Sequence, residues 1–192
     1  MIQHYWPIAA LVLALSPSAA QADWLFAPSA TYPFAGDRLG GTAPALVFGV
    51  GWLDEESVGF EAEVGYLPRF FDDAVGFTGV GSVFSLMGNL MITGSSPGRV
   101  MPYFTGGAGL LRMQVTSDEG RFTSSTVEPG FNAGAGIVGF LRDGIGLRGD
   151  LRYFRSFQDL PPSWTRGVAI DIAPGHFDFW RASVGITIRA RD

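Results

Sequence analysis

The ionisable residues of this chain fall into short alternating groups. Glu61 and Glu63 are two residues apart, and so are Arg148, Asp150 and Arg152 in turn. Side chains spaced by two lie on one face of a β-strand, so each group would present its charges together. Arg112 and Arg181 stand in stretches with the same alternation. Charges of both signs on facing strands have a direct chemistry, arginine–carboxylate pairing, because a charge taken out of water must be paired or it costs several kcal/mol. The same lining would also serve as a gate if its rearrangement opened a pore.

Catalytic chemistry is harder to find. Beyond His4, the chain has one histidine, His176, with Asp178 close by and Ser163 and Ser183 the nearest serines. A nucleophile needs a positioned base beside it, and no G-x-S-x-G motif occurs. We therefore expect no enzyme, no catalytic residue and no cofactor. The absence of cysteine removes disulfides and thiolate metal sites. Asp72-Asp73 and Asp118-Glu119 are acidic pairs that would meet divalent cations only weakly, and no metal site is assigned to them. The glycine-rich stretches 106–109 and 134–136 are followed by no lysine and no helix start, so they read as close-packed strand positions and not phosphate loops. A net charge of −5, with every basic residue an arginine, leaves no basic patch for nucleic acid.

The elements that must position these charges are strands. Leu46, Phe48, Val50 and Trp52 alternate with smaller residues; so do Val58, Phe60, Ala62, Val64 and Tyr66, and so do Trp180, Ala182, Val184, Ile186 and Ile188. The pattern predicts eight strands, at 24–34, 43–53, 58–69, 80–93, 100–116, 130–142, 146–157 and 176–190. Asp54-Glu55-Glu56-Ser57, Gly94-Ser95-Ser96-Pro97-Gly98-Arg99 and Asp143-Gly144-Ile145 are short turns. The remaining connections, 35–42, 70–79, 117–129 and 158–175, are longer. Strict alternation of short and long connections is the pattern of transmembrane β-barrels. A soluble ligand-binding barrel also alternates, with its apolar face turned inward. Residue size separates the two. Bulky side chains occupy one face and Gly, Ala, Ser and Thr the other, and the small set fits the concave interior of a narrow barrel. On this reading the bulky face meets lipid, and Leu111, Met113 and Val115 point outward with Arg112 inward. Trp24, Trp52, Tyr66, Tyr103, Tyr153 and Trp180 lie near strand ends, as interfacial aromatic girdles would.

Composition agrees. Of 192 residues 27 are Gly, 47% are hydrophobic, 14% aromatic and only 16% charged. A chain with one face of every strand in lipid has that balance, and a disordered chain does not. Residues 8–15 form an apolar run too short to cross a bilayer as a helix. With Ala20-Gln21-Ala22 after it, the run predicts a signal peptide over 1–22 and a barrel domain over 23–192.

Several segments carry a resemblance. Tyr103-Phe104-Thr105-Gly106-Gly107-Ala108-Gly109-Leu110, Asn132-Ala133-Gly134-Ala135-Gly136, Gly146-Leu147-Arg148-Gly149-Asp150-Leu151-Arg152-Tyr153-Phe154 and Phe179-Trp180-Arg181 with Val184-Gly185-Ile186-Thr187 are similar to strands of the small outer-membrane β-barrel family, the OmpA/OmpX-like type. The resemblance implies an all-β, eight-stranded antiparallel up-and-down barrel in the outer membrane of a Gram-negative cell. It implies the bilayer, lipopolysaccharide and the barrel-assembly machinery as partners, although the chain closes on Ala190-Arg191-Asp192 where such proteins usually end in an aromatic residue. The role expected is structural, in envelope integrity, or a surface interaction with an external ligand or cell through the four long connections. A small-solute pore is the alternative, and a lipid-modifying enzyme or soluble ligand binder a more distant one.

Overall fold

The computed structural model describes residues 23–36, 43–54, 57–70, 79–94, 99–117, 123–159 and 176–191. The expected signal peptide, Asp72-Asp73, Asp118-Glu119 and Ser163 lie outside these residues, as does most of the long connections 35–42, 70–79 and 158–175. Eight strands run in sequence order: β1 (Asp23–Ala35), β2 (Ala45–Leu53), β3 (Val58–Leu67), β4 (Gly79–Thr93), β5 (Val100–Ser117), β6 (Thr123–Arg142), β7 (Ile145–Asp159) and β8 (His176–Arg191). Each pairs antiparallel with the next, and β8 returns to β1 to close the barrel. Closure leaves no edge strand, so through the levels where every strand is paired on both sides the backbone polar groups are satisfied without water.

The period-two alternation is realised as two surfaces. Leu46, Phe104 and Val184 are among the most exposed apolar residues, at 74%, 70% and 65%. They belong to a continuous outer band that includes Phe48, Phe60, Leu86, Ile92, Ile137, Leu147 and Ile186. Apolar residues so exposed over the whole circumference make a surface built to face lipid. Glu61, Glu63, Asn89, Arg148, Arg152 and Arg181 are buried on the inner face.

One strand is longer than the sequence suggests. β6 begins at Thr123, not at 130, because Thr123–Pro129 continues the ladder with Thr116–Leu110 of β5. The Ser-Ser-Thr run at 124–126 carries no apolar alternation, which is the only signal that hydropathy offers. Its backbone pairs nonetheless, so the expected connection 117–129 is mostly strand.

The inside of the barrel is layered. Asp23 pairs with Leu53 and Arg191, which places both ends of the barrel at the rim of the short turns. Near that rim Met91, Tyr103 and Val138 are buried together, with Met101 and Phe140 against them. Toward the opposite rim lies a larger apolar layer of Leu67, Phe70, Val83, Met87, Leu111, Met113, Phe154, Phe177 and Phe179. Phe154 stacks on Phe179 at 4.9 Å, and Phe70 meets Phe179 and Phe177 edge-on at 5.0 and 5.5 Å. Phe70 follows β3 and is tied back by its amide, which donates to the Gly81 carbonyl at 2.7 Å.

Candidate functional site

Between the two apolar layers the lumen holds three arginines and three carboxylates. Glu61 and Glu63 come from β3, Arg148, Asp150 and Arg152 from β7, and Arg181 from β8. Arg152 and Arg181 are register partners on adjacent strands and face β3 across the barrel. Glu61 receives hydrogen bonds on both oxygens, from Arg148 Nη1 at 2.5 Å and Arg152 Nη2 at 2.7 Å. Arg181 Nη2 donates to both oxygens of Glu63 at 2.8 Å. Arg152 Nη1 stands 3.2 Å from Glu63 Oε2 and its Nε 3.4 Å from Asp150 Oδ1. Arg148 Nε donates to Asp150 Oδ2 at 3.1 Å. The charge-assisted bonds of 2.5–2.8 Å to Glu61 and Glu63 are the strong ones, and the signs of the six groups cancel.

Neutral polar groups extend the network. Tyr103 donates its hydroxyl to Asp150 Oδ2 at 2.9 Å and accepts from Arg148 Nε at 2.7 Å. Its ring also lies under the Arg148 guanidinium, 4.8 Å from centroid to Cζ. Asn132 Nδ2 donates to Asn89 Oδ1 at 2.7 Å, and Asn89 Nδ2 reaches Glu61 Oε1 at 3.5 Å. Arg181 lies over the Phe154 ring at 4.6 Å, joining the ionic layer to the apolar layer above it. Glycine makes the space. A Cβ at Gly49 would press on the Glu61 carboxylate, and one at Gly136 would overlap the ring of Tyr103, its register partner.

Two expected placements are corrected. Arg112 points outward and is exposed, while Leu111 and Met113 are buried inside. The lumen is apolar at that level, so the assumption that apolar means lipid-facing inverts there. Tyr103 is not a girdle residue. It is buried, at 1% exposure, because its inner-face position opposite Gly136 brings the hydroxyl within reach of Asp150.

The other aromatic candidates face outward. Trp24, Tyr66 and Trp180 are exposed. Trp52, paired with Trp24, is half-buried and stacks on Phe60 at 6.4 Å. Tyr153 packs on Trp180 at 5.3 Å and Phe131 at 6.4 Å, and its hydroxyl donates to Asp178 at 2.8 Å. His176 opens β8 opposite Asp159. Among the described residues no group of three His, Cys, Asp or Glu could hold a metal ion.

Asn89, Asn132 and the buried Glu128 escaped the sequence reading. Asn89 shares its face with Ser85, a signal that was available. Glu128 was hidden in the supposed connection.

No family model matches the chain, and no curated protein matches it by sequence. Solved structures do match. Neisserial surface protein A superposes with a TM-score of 0.60 at 13% identity, covering 87% of this chain and 97% of that one. A major outer membrane protein of Thermus thermophilus gives 0.55 at 17% identity, covering 88% and 99%. Ail, the attachment invasion locus protein of Yersinia pestis, in complex with the heparin analogue sucrose octasulfate, gives 0.52 at 13% identity, covering 88% and 98%. The fold is that of the small eight-stranded outer-membrane β-barrels.

Proposed function

We propose that the protein is a non-conducting outer-membrane barrel whose role is structural, in envelope integrity, or a surface interaction made through its long connections. The observation that supports this reading is the filled lumen: a neutral ionic layer between two apolar layers, with Arg152 and Arg181 wholly buried. The barrel is then an anchor, and the connections at the rim opposite the chain ends are the parts free to vary and to bind. The reading includes no catalytic step and no cofactor. The bilayer, its lipopolysaccharide and the assembly machinery that inserts barrels are the partners it requires.

A small-solute pore is the second reading. It is favoured by one feature, the ion pairs that join β3 to β7 and β8 across the lumen, since their exchange would open a path. Planar-bilayer recording decides between the two. The wild-type protein is expected to give no sustained single-channel steps, and sustained steps would overturn the closed-barrel reading. Arg148→Ala with Arg152→Ala raises conductance if these charges gate a path. Unchanged conductance in that double variant removes the gate.

A further inference from the structure

The membrane-facing surface differs from one half of the barrel to the other. Gly88 on β4, Gly106 on β5, Gly139 on β6 and Gly149 on β7 take outward positions in the alternation, while on β1, β2, β3 and β8 no outward position among the described residues is a glycine. Nothing inside the barrel requires these four. None has a positive φ. An added Cβ would come no closer to its neighbours than 3.6 Å at Gly106 and 3.9 Å at Gly88 and Gly149, and at Gly139 it meets nothing within 4 Å. Glycine weakens a strand, and it often marks a place where something outside the strand approaches closely. Ala108, Ala133 and Ala135 continue the low surface, since Gly88 pairs with Ala108 and Gly106 with Ala133.

The same half of the wall carries a groove and a knob. The groove, of about 490 Å³, has Ala133 and Ala135 on its floor and Phe104, Leu151, Tyr153 and Trp180 as its walls. Phe104 is the register partner of Ala135 and stands 70% exposed at the groove's edge. No charge lies on this face. The outward positions of β4 from Ser82 to Ile92, β5 from Val100 to Leu110, β6 from Val127 to Leu141 and β7 from Ile145 to Tyr153 are all uncharged.

We propose that the β4–β7 wall is a dimer face: two copies of the chain stand side by side in the membrane, related by a two-fold axis along the membrane normal, with Phe104 of each in the groove of the other. A knob beside its own hole is what a two-fold contact demands, because the patch must be complementary to itself. Lipid tails are as apolar as the wall, so association within a bilayer depends on close packing, and small residues permit it. Acyl chains mould to bulky and smooth walls alike and make no use of glycine. The low residues also flatten a wall that would otherwise curve away from a neighbour. Four strands at about 4.8 Å and an apolar band about 25 Å tall make a face of roughly 500 Å², so a pair would bury about 1,000 Å², where specific interfaces begin. The proposal needs residence in the membrane but not a closed lumen, so it and the conductance result stand or fall separately.

The test uses the full barrel refolded into phosphatidylcholine vesicles. The chain has no lysine, so an amine-reactive dye labels its amino terminus alone. Energy transfer between donor- and acceptor-labelled copies is followed as the protein is diluted in lipid. Wild type is expected to show transfer that is linear in acceptor fraction, as a dimer gives. Phe104→Ala removes the knob from both sides of the contact and should raise the protein-to-lipid ratio at half-association by about tenfold. Ala133→Phe fills the groove and Gly106→Val raises the surface beside it, and each should do the same. Phe48→Ala, on β2 across the barrel, should leave the ratio unchanged. The gel shift between boiled and unboiled samples reports folding of each variant, and the remaining variants decide if one fails to fold. Absence of transfer beyond that of randomly mixed monomers overturns the proposal, since lipid then covers the face. Equal effects of Phe104→Ala and Phe48→Ala overturn it too, and so does a curved dependence on acceptor fraction, which signals open-ended assembly.

Discussion

Replacing Arg152 by leucine removes the one side chain that touches Glu61, Glu63 and Asp150 together, the three carboxylates of the ionic layer. Its guanidinium lies 2.7 Å from Glu61, 3.2 Å from Glu63 and 3.4 Å from Asp150, and it is fully buried. Arg148 and Arg181 remain in the variant, so one negative charge is left without a partner. A buried charge stranded by loss of its partner costs about 3–5 kcal/mol. A Coulomb estimate agrees, since one unit pair at 4 Å is worth about 4 kcal/mol at an effective dielectric of 20. Glu61→Gln in the same chain restores neutrality and should recover about 2 kcal/mol, a coupling in the range measured for contacting residues. Guanidinium titration of the barrel in detergent, followed by tryptophan fluorescence and by the heat-dependent gel shift, measures wild type and both variants. If Arg152→Leu costs less than about 0.5 kcal/mol, the range of an ordinary surface substitution, the lumen is wet and the pairing argument fails. If the double variant is no more stable than the single one, the loss comes from packing and not from charge.

Tyr103→Phe deletes a hydroxyl that donates to Asp150 and accepts from Arg148. It should cost about 1–3 kcal/mol, since it leaves buried partners unsatisfied, and the same unfolding titration checks it. Gly136→Val drives a side chain into the Tyr103 ring, whereas at Gly139 an added Cβ meets nothing within 4 Å. The first should destabilise by about 1–3 kcal/mol as overpacking does, and Gly139→Ala should be near neutral in the same assay.

The eight strands were legible because lipid on one side and a narrow lumen on the other enforce a period of two. Bulk tracked the outer face where the lumen is polar or lined by small residues, as on β2, β3 and β8. It failed on β5, where Leu111 and Met113 belong to the apolar layer inside the barrel. Counting from Phe104 and Leu110, both exposed, would have set the parity of that strand and turned Arg112 outward. Gly107 and Gly109 also belong to the inner series, and a Cβ at either would collide with the backbone of β4. Tyr103 was misplaced by the same rule, since a tyrosine near a strand end serves a girdle or a lumen equally well by type. The partner that decides, Asp150, is forty-seven positions away in the chain. The charged layer was visible as spacing, but its pairing was not. Which arginine reaches which glutamate depends on the stagger of β3 against β7 and β8, and that stagger is set around the whole ring.

The ionic layer then has a purpose beyond filling space. Leucines would fill the lumen with less desolvation cost, because buried ion pairs often gain little over apolar residues of similar volume. What charges supply is a penalty for error. Glu61 pairs in the ladder with Gly51 and Asn89, and Glu63 with Gly49 and Met87. A slip of one residue between strands turns every side chain to the other face. In this barrel it would aim Glu61 and Glu63 at hydrocarbon and bring Phe60 and Val64 into the lumen. An apolar lumen would not resist such a slip, because both surfaces would then be apolar. A neutral set of six charges fixes register in a way that apolar packing inside an apolar bilayer cannot.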